Sequence, residues 1–337
     1  MNVVLMITGS YPPAICGVGD YTHNVLSSNT GREWKLYHRT DWRLSKLPAI
    51  VREIDAFHAE QIFMQYPTQG YGWSLVPHLL CTYYSLVRRT RFTVVLHEFS
   101  QLSAKARAAA TLMVRTAHQL IFTNEFERAE ACRASASVMR RSRIVKIASN
   151  IPVADVCLPT ASRPIDLAYF GHIRPHKGLE QFVAAAAAAR AAHPDWRLLL
   201  MGQIPLGFED FAKEILSQCT ALGVDVRLDL DAEAVAGVLA QVKAVYLPFP
   251  DGISERRGTA MAAMANGALV LTTVGHHTTP ALHSAVSVIP VKHALPAIEQ
   301  VLNGSEESLA RQQSAATIFL REQIPTNWDS VARSYLI

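Results

Sequence analysis

Cysteine and long apolar runs are both scarce in this chain of 337 residues. The 5 cysteines show neither a Cys-x-x-Cys pair nor another spacing typical of zinc ligands, which argues against a metal site and against a disulfide framework. No apolar run reaches the roughly 18 residues that a membrane span needs, and residues 2–8 have the pattern of a strand rather than of a signal peptide. We therefore expect a cytoplasmic protein with reduced thiols at Cys16, Cys81, Cys132, Cys157 and Cys219.

The sequence also lacks basic patches interleaved with aromatic residues, so no nucleic-acid partner is expected. Positive charge is nevertheless uneven, because residues 1–160 carry 18 Lys and Arg against 11 Asp and Glu, whereas residues 161–337 carry 14 against 17. Two interpretations of the basic first half stay open: peripheral contact with an anionic membrane, and arginines that are solvated on helix faces. The surplus lies at Arg88, Arg89 and Arg91 and at Arg128, Arg133, Arg140, Arg141, Arg143 and Lys146.

Apolar runs and helical stretches alternate along the whole chain. A chain of this length exceeds one ordinary core, and this alternation predicts an α/β fold with two Rossmann-like, doubly wound parallel-sheet domains facing a cleft. The proline-rich residues 151–164 are the predicted linker. Strands are predicted at residues 2–8, 34–38, 61–65, 92–97, 119–123 and 144–148, and then at 165–170, 197–201, 224–230, 243–247, 268–273 and 286–289.

Residues 248–273 have the pattern of a loop, a short helix and a buried strand. Ser254 is the predicted N-cap of a helix over residues 255–265, and Gly267 stands where a glycine commonly ends a helix. Such a helix start presents unpaired N–H groups, to which Arg256 and Arg257 add two positive charges. The pattern favours a phosphate site. The alternative is a capped surface helix with two solvated arginines.

A second glycine-containing segment, residues 169–178, lies between a predicted strand and a helix. Its glycines allow a tight passage from strand to helix, and it carries His172, Arg174 and Lys177. Because carboxyl ends of parallel strands share one edge of a sheet, we expect these side chains to meet the same anion as Arg256 and Arg257.

The first half has two candidate positions at the carboxyl ends of its strands. The loop after the first strand contains Gly17 and Gly19, but Thr22 stands where a Gly-x-Gly-x-x-Gly motif needs its last glycine, so NAD is not expected. His97 follows the fourth strand. A functional histidine and a hydrogen-bonded structural histidine are both consistent with that position.

Together these segments resemble the GT-B glycosyltransferases, and within them the retaining family 4 of bacterial sugar transferases. The most specific parts are residues 171–178 and 248–267. The resemblance implies an acceptor-binding domain over residues 1–155, a nucleotide-sugar-binding domain over 156–320, and a C-terminal helix over 321–337 that crosses back to the first domain. The resemblance covers essentially the whole chain, through residues 16–21, His97, and residues 149–152, 171–178, 248–267 and 327–332.

The family resemblance implies a retaining, hexosyltransferase-like enzyme of polysaccharide biosynthesis. It would move a sugar from a nucleoside diphosphate sugar to a glycan, a lipid-linked molecule or another acceptor, with no metal and no cofactor. The implied catalytic residues are His97, which contacts the sugar, and Glu255, which lies at the donor sugar or its reacting end. Lys177 is implied to hold the diphosphate. The implied donor-binding residues are Gly17, Gly19, His172, Arg174, Lys177, Arg256, Arg257, Gly258 and Thr259.

Two positions depart from the pattern of this family. His172 stands where family members commonly have an arginine, and Ala263 stands where they commonly have a second glutamate that binds the ribose. The departures leave an alternative function open, a non-catalytic glycosyltransferase-like subunit that binds a partner transferase or an acceptor. A sugar-nucleotide epimerase shares the two-domain fold, but the motifs favour a transferase.

Overall fold

The computed structural model describes residues 3–14 and 16–336. Met1, Asn2, Ile15 and Ile337 lie outside the described residues, so the first residue of the predicted strand 2–8 and the ends of the predicted domains are not assessed. The chain divides into unit 1, which comprises residues 1–148 and 325–337, and unit 2, which comprises residues 149–324. Each unit contains one parallel six-stranded sheet, so the predicted α/β class with two doubly wound sheets is confirmed.

Unit 1 has the sheet order β2-β1-β3-β4-β5-β6. Both faces of this sheet are covered, since Leu5 and Ile7 of the first strand enter one apolar core while Val4 and Met6 enter another. Its elements are β1 (Val3–Thr8), α1 (Gly17–Ser27), β2 (Glu33–His38), α2 (Leu47–Asp55), β3 (Gln61–Tyr66), α3 (Val76–Thr82), a π-helical turn (Tyr83–Val87), β4 (Arg91–Leu96), α4 (Ala104–Thr116), β5 (Gln119–Phe122), α5 (Glu125–Ala134), α6 (Val138–Arg141) and β6 (Ser142–Ile144).

The sixth strand of unit 1 lies earlier than predicted, at Ser142–Ile144 rather than at residues 144–148. Its neighbour β5 ends at Phe122, whose carbonyl oxygen accepts a last hydrogen bond of 2.9 Å from the Val145 nitrogen. Beyond that point the strand has no backbone to pair with. The apolar residues Val145 and Ala148 instead pack into the core of the unit.

Unit 2 has the sheet order β12-β11-β10-β7-β8-β9. From β7 the chain builds outward through β8 and β9, then returns beside β7 as β10 and builds outward the other way. Its elements are β7 (Ile165–His172), α7 (Leu179–Ala192), β8 (Leu198–Gln203), α8 (Glu209–Ala221), β9 (Asp225–Leu228), α9 (Ala232–Leu239), β10 (Val242–Leu247), α10 (Gly258–Ala265), β11 (Leu269–Thr272), α11 (Pro280–Ser284), β12 (Ser287–Val288), α12 (Ala294–Leu302) and α13 (Glu306–Gln323).

The last helix, α14 (Trp328–Tyr335), belongs to unit 1. Its first turn is capped by the Asn327 side chain, which accepts a 2.9 Å hydrogen bond from the Ser330 nitrogen. The Tyr335 ring is fully buried and stacks on Phe63 of β3, with the ring centroids 5.4 Å apart. The C-terminal residues therefore complete one of the two cores of unit 1.

The residues predicted to form a linker are fixed to unit 2. The Asn266 side chain accepts a 2.8 Å hydrogen bond from the Ala154 nitrogen and donates one of 3.0 Å to the Pro152 carbonyl. These bonds explain why unit 2 begins at residue 149, before the start at residue 156 that the sequence predicts for the second domain. Unit 2 ends at residue 324, compared with the predicted 320. In the described part of the chain, no helix is both long enough and apolar enough to cross a membrane.

Candidate functional site

The strand order of unit 2 creates a topological switch point between β7 and β10. These strands are neighbours, with Ala168 paired to Val245, but their following segments leave toward opposite sides of the sheet. In such sheets ligands bind beyond the carboxyl ends of the strands at the switch point. Residues 173–178 and 248–257 follow β7 and β10 at that point. Both segments singled out in the sequence therefore border the same position.

Direct contacts hold these two loops together. Gly178 has a φ of +81°, and a Cβ atom at this position would lie 2.3 Å from the carbonyl oxygen of Pro248, so only glycine fits. The hydroxyl of Tyr169 donates a 3.1 Å hydrogen bond to the Lys177 carbonyl and so fixes the first loop against its own strand. A Cβ atom on Gly171 would lie 3.6 Å from Cγ2 of Thr259, which places the start of α10 against the end of β7.

Positive charge is concentrated at the end of β7. Burial, and then the positive charges of Lys177 and Arg174, lower the pKa of the half-buried His172 below its ordinary value. Burial raises the pKa of Tyr169 well above its ordinary value, and the positive charges of Arg174 and Arg257 partly oppose that shift. Arg174 of the first loop and Arg257 of the second loop thus both act on one residue, Tyr169. Their field attracts an anion, and phosphate oxygens are the acceptors that such side chains bind well.

Arg257 is held in place by its own loop. Its guanidinium forms an ion pair with Asp251 and lies over the Phe249 ring, 4.6 Å from the ring centroid. Arg256 is half-buried beside it. The Arg257 side chain is therefore fixed within its own loop.

The predicted start of the helix in this segment is wrong. Helix α10 begins at Gly258, with Arg257 as its N-cap, so Ser254 does not cap it. Residues 254–257 form a turn closed by a 3.0 Å hydrogen bond from the Arg257 nitrogen to the Ser254 carbonyl, and Ile253 is tied to Thr273 by a 2.9 Å backbone bond. These bonds hold Glu255 and Arg256 in the turn that precedes the helix.

The other end of α10 is as predicted. Gly267 has a φ of +73°, and the Ala268 nitrogen donates a 2.9 Å hydrogen bond to the Ala263 carbonyl, the arrangement of a glycine-terminated helix. Ala263 itself is fully buried in the core of unit 2. The position where the family often has a second glutamate is thus a packing position here.

The half-buried Glu255 carboxylate borders a loop that sequence reasoning missed. The Thr279 hydroxyl donates a hydrogen bond of 3.4 Å to Oε1 of Glu255, and the same hydroxyl caps α11 by accepting from the Leu282 nitrogen. The sequence does contain the information needed to find the loop that carries Thr279, because it predicts a strand at residues 268–273 just before that loop. Because that strand lies beside β10, the loop after it must border the loop that carries Glu255.

His97 follows β4 in unit 1 and is almost completely buried, with an exposed fraction of 5%. Its Nε2 atom lies 2.7 Å from Oε1 of Gln65, and because an amide oxygen only accepts, the histidine donates. The Tyr21 ring meets His97 edge-on at 4.8 Å, and the Tyr21 hydroxyl lies 2.6 Å from that of Tyr335 on α14. The ring is therefore held in one orientation, and its catalytic role stays a prediction.

Gly17 and Gly19 stand at the start of α1, which begins at Gly17. A Cβ atom on Gly19 would lie 3.3 Å from the Ser10 carbonyl, so this glycine lets the helix pack closely on the preceding loop. A Cβ atom on Gly17 would meet no atom within 4 Å among the described neighbours. Ile15, in the same loop, is outside the described residues. The predicted contact of Gly17 and Gly19 with the donor is not assessed by these distances.

Within unit 2 the structure thus brings together most of the predicted donor-binding residues, while Gly17, Gly19 and His97 belong to unit 1. Over residues 3–14 and 16–336, no three His, Cys, Asp or Glu side chains form a group that could hold a metal ion.

The lowered pKa of His172 makes a prediction about acid stability. The folded protein binds this proton less tightly than the unfolded chain does, so below the ordinary histidine pKa of about 6.5 stability falls as protons bind the unfolded state. His172→Gln should therefore lose less free energy of unfolding between pH 7 and pH 5 than the wild-type chain, as measured by urea denaturation. His283→Gln, at an exposed position of α11, is the matched control. A His172→Gln profile parallel to wild type would contradict the prediction.

No protein-family model matches this sequence, and no curated protein sequence matches it. Solved structures do match over the whole chain. Alr3699/HepE of Anabaena, solved with UDP and glucose, is 14% identical with a TM-score of 0.72, and the alignment covers 100% of this chain and 98% of that one. Sucrose-phosphate synthase of Thermosynechococcus elongatus is 18% identical with a TM-score of 0.66 and coverages of 99% and 97%.

The catalytic domain of starch synthase IV from Arabidopsis thaliana, solved with ADP and acarbose, is 10% identical with a TM-score of 0.63 and coverages of 99% and 98%. At such low identities the likeness establishes the fold alone. The fold is that of the GT-B glycosyltransferases, as predicted.

Proposed function

We propose that this chain is a retaining glycosyltransferase of family 4 that transfers a sugar from a nucleoside diphosphate sugar to a glycan or lipid-linked acceptor. The observation that carries the proposal is the cationic cluster at the switch point of unit 2. There Lys177 and Arg174 lie close enough to lower the pKa of His172, and Arg174 and Arg257 both act on Tyr169. This cluster faces the position where such sheets bind ligands.

The chemistry of glycosyl transfer suits this arrangement. When the bond between the sugar and the diphosphate breaks, negative charge grows on the leaving diphosphate. Fixed cations stabilise that charge without having to reorganise. We assign Lys177 to the diphosphate, together with the backbone N–H groups of Gly258 and Thr259 at the start of α10, where the helix dipole adds to the field. The site so described needs no metal ion.

Glu255 is the acid proposed to act on the sugar. It lies in the turn directly before α10, two residues from the N-cap Arg257, so it is close to the proposed phosphate contacts at Gly258 and Thr259. We assign it to the donor sugar at its reacting carbon, where a carboxylate stabilises developing positive charge. The leaving diphosphate accepts the proton of the acceptor hydroxyl. For His97, Gly17 and Gly19 of unit 1, the sugar and donor contacts that the family resemblance implies stay predictions.

The structural neighbours support a nucleotide donor. HepE was solved with UDP, and starch synthase IV with ADP, on the same fold. We therefore propose a nucleoside diphosphate as the minimal ligand of unit 2, and UDP is the first probe to use. ADP and GDP test the choice of base.

A second function is favoured by one observation. Ala263 is fully buried, so unit 2 provides no carboxylate at the position where family members commonly bind the ribose. In the alternative, the chain is a non-catalytic subunit on a transferase scaffold that binds a partner transferase or an acceptor. The presence of Lys177 and Glu255 at the expected positions favours the enzyme.

Nucleotide binding is tested by replacing Lys177. At a UDP concentration of about 100 times Kd, mass action should stabilise the wild-type chain by about 2.7 kcal/mol, seen as a rise in Tm. Loss of a charge-assisted contact of about 1.5–3 kcal/mol in Lys177→Ala should weaken UDP binding about 10- to 100-fold. Lys213→Ala, on the exposed side of α8, is the control and should leave binding unchanged. Equal Tm shifts in both variants would remove Lys177 from the site.

Consumption of nucleotide sugars distinguishes the two functions. The enzyme should hydrolyse or transfer at least one sugar from a panel of UDP, ADP and GDP sugars, and the product should keep the anomeric configuration of the donor. Nucleotide binding without any consumption, with glycan and lipid-linked acceptor fractions supplied, would instead support the subunit function.

A further inference from the structure

A glutamine interrupts the buried apolar run of β3. Residues 62–64 of this strand are apolar and buried, and Gln65 follows them with no exposure at all. Burying an amide group is unfavourable unless its oxygen and its nitrogen both find hydrogen-bond partners within the protein. The partners of Gln65 therefore show what this residue does in the fold.

The register of the sheet places Gln65 between two side chains on the same face. Gln65 is paired with Val95 of β4, so His97, two residues further along the chain, lies on the same face as Gln65. On the other side of β3, Met6 of β1 is paired with Phe63, which puts the Met6 side chain on that face as well. Met6, Gln65 and His97 thus lie on one face of three adjacent strands.

The contact with Met6 sets the orientation of the Gln65 amide. Its Nε2 atom lies 3.2 Å from the Met6 sulfur, and a thioether sulfur accepts a weak hydrogen bond but has no hydrogen to donate. The reversed amide would bring its oxygen to the sulfur, where two acceptors would face each other. The amide nitrogen therefore points to Met6, and Oε1 is the atom that lies 2.7 Å from Nε2 of His97.

The orientation of Gln65 in turn decides which nitrogen of His97 carries the proton. Oε1 only accepts, so the hydrogen atom between the two side chains belongs to Nε2 of the histidine. In a neutral imidazole that donates through Nε2, Nδ1 is an acceptor. Rotation of the ring, which would exchange the two nitrogens, is opposed by its burial at 5% exposure and by the Tyr21 ring, whose centroid is 4.8 Å away.

The C-terminal helix α14 supports this arrangement. Tyr335 is completely buried, and its hydroxyl lies 2.6 Å from that of Tyr21. Burial raises the pKa of Tyr335, and hydrogen bonds with Tyr21 and Gln65 partly oppose that shift. A hydroxyl both donates and accepts, so this contact fits either orientation of the amide, and Met6 remains the side chain that selects one.

We propose that Gln65 is a positioning residue that holds His97 in the neutral tautomer with its proton on Nε2, so that Nδ1 accepts a hydrogen bond from a hydroxyl group of the donor sugar. The contact with the sugar rests on the proposed function, whereas the tautomer does not. An acceptor nitrogen binds a hydroxyl group, but it does not bind a carboxylate oxygen, which is itself an acceptor. We therefore expect a donor with a neutral sugar rather than a uronic acid.

The tautomer is tested by NMR of the full chain labelled with ¹⁵N-histidine, without any substrate. The signals of His97 are those that disappear in His97→Gln. We expect a single tautomer with its ring proton on Nε2. In Gln65→Leu this proton loses its acceptor and should exchange with water at least about tenfold faster. Gln61→Leu, at the half-buried start of the same strand, is the matched control and should leave the exchange unchanged.

A milder variant tests the step from Met6 to Gln65. Met6→Leu nearly conserves the volume of the side chain but removes the sulfur that selects the orientation of the amide. We expect a second tautomer of His97 to appear in this variant, with its proton on Nδ1. An unchanged Tm shows in each variant that the fold is retained.

A double-mutant cycle tests whether Gln65 acts through His97. Gln65→Leu should lower kcat for the nucleotide sugars that the chain consumes about tenfold, while the Kd for UDP stays unchanged. In the His97→Gln background the same change should have no further effect, because the side chain that Gln65 positions is already absent. A merely structural role of Gln65 would lower kcat by the same factor in both backgrounds and would contradict the proposal.

Two NMR results would overturn the tautomer: a proton on Nδ1 of His97 in the wild-type chain, or Nε2 exchange that is equal in wild type and Gln65→Leu. Consumption of a nucleotide uronic acid as fast as that of the corresponding hexose would overturn the acceptor role of Nδ1. If the expected tautomer is present but no nucleotide sugar is consumed, the proposed function fails and the contact with the sugar fails with it, while the role of Gln65 in fixing the ring is supported.

Discussion

Replacing Glu255 by glutamine should lower sugar turnover at least about 100-fold while UDP binds with nearly wild-type affinity. The substitution keeps the size and shape of the side chain, and the amide oxygen of glutamine still accepts from the Thr279 hydroxyl that now lies 3.4 Å from Oε1. Only the negative charge is lost. That charge acts mainly in the transition state, when positive charge develops at the reacting carbon, so kcat falls and nucleotide affinity does not.

The control for this prediction is Glu214→Gln, a similar change on the exposed side of α8 in the same unit. It should leave both turnover and UDP binding unchanged. If Glu255→Gln turns over as fast as wild type, Glu255 does not act on the reacting carbon. If both kcat and UDP affinity fall together, Glu255 instead supports the shape of the loop that holds the diphosphate.

The strands of both sheets could be predicted from the sequence because parallel strands are buried on both faces. Their residues then form continuous apolar runs, such as residues 244–247 of β10, that stand out between helices. The order of strands and helices along the chain fixes the doubly wound class. It also predicts that loops after β7 and β10 meet at one edge, which is why Lys177 and Arg257 could be assigned to one site before their surroundings were known.

Local signals failed where hydrogen bonds between distant segments decide the conformation. Ser254 looks like an N-cap, but the bond between Ile253 and Thr273 holds the preceding chain against the next strand. The helix therefore starts at Gly258, three residues later than predicted. The sequence of residues 151–164 likewise looks like a free linker, because the hydrogen bonds that fix it come from a distant part of the chain. Nothing in that segment indicates that Asn266, more than 100 residues away, binds its backbone.

Arg163 is the second residue that ties this segment to unit 2, and its replacement should have the largest effect on stability. Its side chain is almost completely buried, at 2% exposure. Nε donates a 2.8 Å hydrogen bond to the Leu158 carbonyl, within the segment itself. Nη1 lies 3.3 Å from the carbonyl of Leu239, the last residue of α9, and 3.1 Å from that of Asn266, the C-cap of α10.

The guanidinium thus caps the C-terminal ends of two helices at once. Helix C-termini carry partial negative charge and unpaired carbonyl groups, so a cation there gains both hydrogen bonds and dipole energy. Burial alone lowers the pKa of Arg163, which shows that the charge is held in a poorly solvated place. Three of the residues whose carbonyl groups accept from it, Leu239, Val242 and Asn266, are fully buried, so water does not readily replace the arginine there.

Arg163→Met should therefore destabilise unit 2 by about 3–5 kcal/mol, because it leaves several buried carbonyl groups without a donor. Arg163→Lys keeps the charge, but all its N–H donors are on one nitrogen that cannot reach carbonyl groups on both sides as the guanidinium does. We therefore expect an intermediate loss of stability. Arg321→Met, at an exposed position near the end of α13, is the control and should change stability by less than about 0.5 kcal/mol.

Guanidinium denaturation measures the loss of stability, and hydrogen exchange of residues 149–163 shows whether the segment detaches. Exchange there should accelerate in Arg163→Met before the sheet of unit 2 unfolds, since the hydrogen bonds from the guanidinium to Leu158, Leu239 and Asn266 are then lost. A loss below about 1 kcal/mol with unchanged exchange would mean that the guanidinium and its carbonyl partners gain no more from one another than they would from water.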